Sequence, residues 1–228
     1  MSVTRLLPLV AVIAALILPG CSSQESTISP GDLSKELFQK IRSARQQPTE
    51  PPDLSRFSAT ALRRTDDPLA QLMFPTTKAA AVMRIIESNG RYDTWAAWGI
   101  SDRRSVTTKD GIITATRAVP PDLMSADVDG VLELVTQRRE GTAQYTQRYL
   151  DGDHGIVEAK STCVVSRGYP KAVKFGEIDQ PVLQMFSSCV SADRQFVDLY
   201  LVNRDGRIVQ SRQWVGPELG FAVMRHLR

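Results

Sequence analysis

The segment FVDLYLVNRDGRIVQSRQWV (residues 196–215) decides the class of fold. Phe196–Val202 and Arg207–Val215 carry β-branched and aromatic side chains, and in the first run apolar and polar residues partly alternate. A period of two sends successive side chains to opposite faces of a strand. Between the runs, Asn203-Arg204-Asp205-Gly206 is turn sequence, because Asn, Asp and Gly accept the backbone angles that a tight reversal needs. The stretch therefore reads as an antiparallel hairpin. The same pattern extends outward. Ala80–Ser88 and Asp93–Trp98 flank Asn89-Gly90, and Ser105–Thr108 and Gly111–Arg117 meet at Asp110-Gly111. Ala143–Leu150 and Ile156–Ser166 flank Asp151-Gly152-Asp153-His154-Gly155; Ser187–Val190 and Phe221–Leu227 complete the series. Strands that arrive in order through short turns predict an antiparallel meander. No unit repeats at a fixed period, which argues against a propeller or solenoid.

Upstream of the strands the chain reads differently. It begins MSVTRLLPLVAVIAALILPGC (residues 1–21), with Arg5 ahead of an apolar run from Leu6 to Leu18. As a helix that run would span ~20 Å, short of the ~30 Å hydrocarbon core, so it reads as a secretory signal rather than a permanent span. Leu18-Pro19-Gly20-Cys21 resembles a bacterial lipobox, in which the Cys thiol takes the diacylglycerol. Cys21 is thus the expected lipidation site, and residues 1–20 the lipoprotein signal peptide. Under the sorting rule of enteric lipoproteins, Ser22 after the Cys implies the outer membrane, on its periplasmic face. Residues 21–31 read as a lipid-anchored tether, polar and Ser-rich. Residues 32–77 read as a helical or irregular segment, with one amphipathic helix at Leu33–Arg45 and Leu54–Leu72 holding a second short helix or none. Residues 78–228 form the β-rich domain. With Cys21 lipidated, Cys163 and Cys189 are an even pair in an oxidising compartment, which predicts a disulfide; two separate buried thiols are the alternative.

Composition bounds the rest. The 228 residues are 42% apolar and 23% charged with a net charge of +3, values of a folded globular chain. The basic pairs Arg63-Arg64, Arg103-Arg104 and Arg138-Arg139 are scattered and read as solvated faces, so no nucleic acid is expected as a partner. His154 and His226 stand at no metal-ligand spacing from each other or from a cysteine and read as surface residues. The sequence has no G-x-S-x-G elbow, P-loop or dinucleotide fingerprint, so no cofactor, metal or catalytic residue is assigned. Asp122, Asp127 and Asp129 lie close together but do not match a calcium loop; they read as a solvated turn. Trp95 and Trp98 differ by three positions and therefore point to opposite faces of a strand. Trp95, Trp98 and Trp214 each suit either a core or a sugar-stacking surface.

One set of residues has a familiar order. After the lipobox come Asn89-Gly90, Trp95, Lys109-Asp110-Gly111-Ile112-Ile113-Thr114-Ala115-Thr116-Arg117 and Asp122-Leu123. Near the C-terminus stand Tyr200, Asp205-Gly206, Ile208 and Ser211-Arg212-Gln213-Trp214-Val215-Gly216-Pro217. The chain from Lys78 to Leu227 resembles the YjbF/GfcB family of bacterial lipoproteins associated with exopolysaccharide or capsule secretion. The resemblance implies a meander folded into a half-barrel or sandwich. It also implies a non-enzymatic accessory role, with polysaccharide export proteins or the glycan itself as partner. A polysaccharide-modifying enzyme using Asp or Glu and a purely structural envelope lipoprotein are the alternatives. Where the family tends to continue Arg117 with a Gly-Leu-Gly-like turn, this chain has Ala118-Val119-Pro120-Pro121, residues that do not favour positive φ. Arg212 and Trp214, two apart on one strand, are expected to share a face, with Trp95, Arg117 and Asp122 as further binding candidates. The competing account puts Trp214 in the core with the Arg212 stem along it.

Overall fold

The computed structural model describes residues 39–40, 42, 52–99, 104–119, 121–150 and 155–228. Cys21, the signal, the tether and His154 lie outside them; of the expected helix Leu33–Arg45, Gln39, Lys40 and Arg42 are described and are helical. Among the described residues no helix is long and apolar enough to cross a membrane. The elements that follow are α1 (Pro52–Arg64), β1 (Leu69–Phe74), β2 (Ala79–Asn89), β3 (Tyr92–Ala97), β4 (Ser105–Lys109), β5 (Ile112–Arg117) and β6 (Leu123–Asp127). After them come α2 (Asp129–Thr136), β7 (Gly141–Leu150), β8 (Ile156–Phe175), β9 (Ile178–Val190), β10 (Gln195–Val202), β11 (Ile208–Gly216) and β12 (Gly220–His226).

All twelve strands join one antiparallel sheet in the order β5-β4-β3-β2-β1-β12-β11-β10-β9-β8-β7-β6. The two end strands, β5 and β6, are consecutive in sequence, so the sheet curls until its ends meet in a nearly closed barrel. The fold is mainly β, as the sequence predicts. The expected segment 32–77 holds α1 and β1, and β1 sits inside the sheet between β2 and β12.

Side chains at 70, 72 and 74 of β1, with Trp95, Val106, Ile113, Val215 and Met224, form the apolar interior towards one end. Towards the other, α2 lays Val131, Leu132 and Val135 against Tyr145, Met185, Tyr200 and Ile208. The outer face is covered in two places. Leu54, Ala61 and Leu62 of α1 pack on Leu69 and Val82. The tip of the long β8–β9 hairpin turns back over β10–β12, setting Val173, Ile178 and Val182 against Val197, Leu199, Leu201 and Val209. Gly176 permits this. A Cβ there would lie 2.5 Å from the Leu227 carbonyl oxygen, which accepts the Glu177 N–H at 2.7 Å, and its φ is +57°.

Cys163 on β8 lies directly opposite Cys189 on β9, and the two are joined in a buried disulfide. The bond closes a loop with a sequence separation of 26, worth roughly 3 kcal/mol in the chain-entropy estimate. Changing both cysteines to Ser is therefore expected to lower unfolding stability by about that amount. Thiol titration of the denatured, unreduced domain should find neither Cys163 nor Cys189; two reactive thiols would remove the bridge.

Candidate functional site: a polar cleft where two turns and a helix end converge

A cleft of about 550 Å³ opens at the end of the barrel where the β4–β5 turn, the β10–β11 turn and the C-terminus of α2 meet. Its size falls within the range of small-ligand sites. The turns are fixed by their residues. At β4–β5, Asp110 and Gly111 both take positive φ (+46° and +91°), the pattern of a tight type I′ reversal. Gly111 also backs onto β11: a Cβ there would meet the Ile208 Cβ at 2.9 Å, so only glycine lets the turn close against that strand. At β10–β11, the Asn203 side-chain oxygen accepts the N–H groups of Asp205 (3.0 Å) and Arg207 (2.9 Å), an Asx-type lock.

The lining combines an aromatic floor with charged walls. Trp95 is 2% exposed; its indole N–H donates to the Thr108 hydroxyl at 3.0 Å, and its ring stands edge-on to His226 at 5.3 Å. Around it stand Asp93, Asp110, Asp205 and Arg207. Asp93 accepts the Ser88 hydroxyl at 2.6 Å, Asp110 pairs with Arg91 at 2.6 Å, and Arg207 donates to the Arg228 carbonyl at 3.0 Å. His226 lines the same cleft with its Nδ1 buried and without a partner. Burial, reinforced by Arg207, pushes its pKa down to about 4, so the ring is neutral near pH 7 and presents one donor and one acceptor. The sequence reading of His226 as a surface residue is thereby corrected. Its strand pairs with β1, which opposes it to Ala70 and encloses it at 8% exposure. Among the described residues no group of three metal-ligating side chains comes together.

The other sequence candidates lie elsewhere. Arg117 and Asp122 are the clasp of the barrel. Asp122 accepts the Thr116 hydroxyl (3.0 Å) and the N–H groups of Ala118 and Val119 (both 2.9 Å). Arg117 donates to the carbonyls of Thr116 (2.6 Å) and Leu123 (3.3 Å). These bonds hold Ala118 at φ +57°, the left-handed conformation that its side chain disfavours, so the altered turn keeps a glycine-like shape by side-chain capture. Arg212 and Trp214 do share a face of β11, in the middle of the sheet order. Trp214 is half-buried, stacked on Phe196 (centroids 5.9 Å) and edge-on to Phe221 (5.4 Å), and the Arg212 guanidinium lies 3.4 Å over the Phe221 ring. Both Trp214 flanks therefore meet aromatic rings, an arrangement of packing rather than an open stacking platform. Trp95 and Trp98 take opposite sides: Trp95 joins the interior, and Trp98 joins the outer cluster under α1, edge-on to Phe57.

The chain is similar to the crystal structure of the hypothetical lipoprotein YmcC from Escherichia coli (K12), with a TM-score of 0.66 at 13% identity, over 88% of this chain and 96% of that one. At that identity the likeness is one of fold. No curated protein matches the sequence. The family described as group 4 capsule polysaccharide lipoprotein gfcB, YjbF, matches residues 33–227, nearly the whole described barrel with α1. The chain belongs to that YjbF family of capsule polysaccharide lipoproteins.

Proposed function

We propose that the protein is a non-enzymatic lipoprotein, anchored through Cys21 to the periplasmic face of the outer membrane, that assists secretion or assembly of an exopolysaccharide or capsule by holding a short stretch of glycan in the cleft over Trp95. The observation that carries this reading is the cleft's donor and acceptor set. Carboxylates of Asp93, Asp110 and Asp205 accept sugar hydroxyls, Arg207 donates, and the unpartnered His226 nitrogen adds a further polar contact above an apolar floor. The family described as capsule polysaccharide lipoproteins supports the class of ligand.

The test uses full-length protein in cells. Arg207→Ala and Asp205→Asn alter exposed turn residues and should leave expression and melting unchanged. Surface polysaccharide should fall several-fold, and glycan fragments should bind at least ten times more weakly. Cys21→Ala should lose lipid labelling and the same secretion. Arg212→Ala and Trp214→Ala serve as the contrast: they are expected to lower stability with glycan binding retained in the folded fraction. Normal secretion and binding by both cleft variants would overturn the reading, and loss of binding in the contrast pair at unchanged stability would move the site to β11.

A further inference from the structure

The barrel's opposite end carries a second cavity of different chemistry. It has a volume of about 350 Å³ and lies between the β1–β4 wall, the β5–β6 connection and the β11–β12 turn. Its walls are the inward side chains of Leu72, Phe74, Ala81, Met83, Ala97 and Leu219, and among the described residues the polar side chains that line it are Thr77, Arg104 and Ser105, at the rim. A water molecule needs two to four polar partners to be held in a cavity, and the described side chains of this interior are apolar. A sugar would leave its hydroxyls unpaired at a large cost. What matches the lining is hydrocarbon.

We propose that this cavity binds one alkyl chain of an amphiphile, with the chain inside the barrel and the polar head at the Thr77–Ser105 rim. A methylene occupies about the volume of a water, ~30 Å³, so the cavity holds a chain of roughly a dozen carbons. The small side chains are what make the room. Ala79 and Ala81 on β2 face Phe74 and Leu72 directly across the β1–β2 ladder, and Ala97 faces Met83 across β2–β3. Any larger residue at these positions would refill the space that the curled sheet leaves at its mouth. At about 350 Å³ the apolar cavity has room for a single chain, in contrast to the charged cleft of about 550 Å³ at the other end.

Envelopes containing the full-length protein are labelled with photoreactive lauric acid, and the modified residues are mapped by mass spectrometry. The label is expected in peptides containing Leu72–Met83 and Leu219. Ala81→Phe fills the cavity and should reduce labelling at least tenfold. Ala97→Leu is the second filling variant, in case Ala81→Phe lowers the folded yield. Val164→Thr, on the exposed face of β8, should leave the label unchanged. Excess unlabelled laurate should compete and maltose should not. A further arm uses Cys21→Ala. A several-fold rise in labelling there makes the chain's own N-terminal acyl group the occupant, and an unchanged level makes it a free envelope amphiphile. Equal labelling of the wild type and both filling variants at equal melting temperature would overturn the proposal, as would label confined to the outer surface.

Discussion

Trp95→Ala is expected to cost about 3–5 kcal/mol of unfolding stability, the usual range for emptying a buried Trp site. The ring is enclosed by the barrel interior and by His226, and its own strand β3 and the His226 strand β12 are paired on both sides, so collapse into the void is restricted. The change also strips a partner from the Thr108 hydroxyl, which is 1% exposed. Leaving that group unsatisfied adds to the loss. Trp95→Phe separates the two parts: it keeps most of the volume and should cost about 1–2 kcal/mol, chiefly for the hydrogen bond. Urea unfolding with the disulfide intact measures both. A loss below about 1 kcal/mol for Trp95→Ala would mean that the ring is not the packed floor described above. Trp98→Ala, on the outer face beside Phe57, should cost less than Trp95→Ala because that site opens to solvent on one side.

How far the sequence shows this architecture depends on where each strand gets its partners. The hairpins at Asn89-Gly90, Asp110-Gly111 and Asn203–Gly206 are legible because the turn chemistry and the flanking β-branched runs agree locally. β1 is not. LAQLMF (Leu69–Phe74) is buried at every position, so no alternation marks it, and nearby Pro68 and Pro75 read as breakers. Its identity as a strand comes from β12, a partner more than 140 residues away. The outer half of β8 and β9 is equally hidden. Pro170 and Pro181 argue against sheet interior, yet β8 pairs past a register shift at Arg167/Pro170 because the tip leaves the main sheet to cover β10–β12. α2 is short, and its Val131, Leu132 and Val135 stripe becomes meaningful only when the barrel supplies a wall for it.

The candidate site shows the same division. Trp95 is visible as a residue type, whereas Asp110 and Asp205 read as turn formers, Asp93 and Arg207 as strand residues and His226 as a surface residue. Asp110 and Asp205 earn their places through local turn geometry, and sequence gives no sign that the two turns meet. The contact depends on Gly111 backing onto Ile208, a pairing across the barrel. The Ser-Arg-Gln-Trp run carries the family resemblance, but its most connected side chain is the inward Gln213. It bridges β11 to β5 through the Ile113 N–H (2.9 Å) and the Gly111 carbonyl (3.0 Å). Parity alone placed Arg212 and Trp214 on the opposite face, and it placed them correctly; only the structure shows the rings that cover them.

Two buried groups are expected to cancel in the pH dependence of stability, and single variants should expose each. Asp198 is 2% exposed. Burial pushes its pKa up to about 7, although the Trp214 N–H (2.7 Å), Arg212 and the Tyr200 hydroxyl (3.4 Å) favour its charged form. The folded state therefore keeps the Asp198 proton up to about pH 7, whereas the unfolded chain releases it near 4. Stability from this group is fully present below about pH 4 and is lost as pH rises through 7. His226 acts with the opposite sign. Its folded pKa is about 4 against about 6.5 unfolded, so its contribution is present above about 6.5 and is lost as pH falls through 4. Over the shared window each group changes the proton balance by one, in opposite senses, and the slopes of about 1.4 kcal/mol per pH unit offset. Asp193, Glu158 and Glu177 are shifted downward by their basic partners and act below about pH 4.3, outside most of that window. The wild type is therefore expected to be nearly flat between pH 4.5 and 6.5 (about two units of scan). Asp198→Asn, which can still accept the Trp214 N–H, should leave the His226 slope alone and lose roughly 3 kcal/mol on going from pH 6.5 to 4.5. His226→Phe should reverse the sign and lose a similar amount as pH rises over the same range. Denaturant midpoints at a series of pH values read all three curves. Parallel curves for wild type and both variants would show that neither group changes its protonation between the folded and unfolded chains.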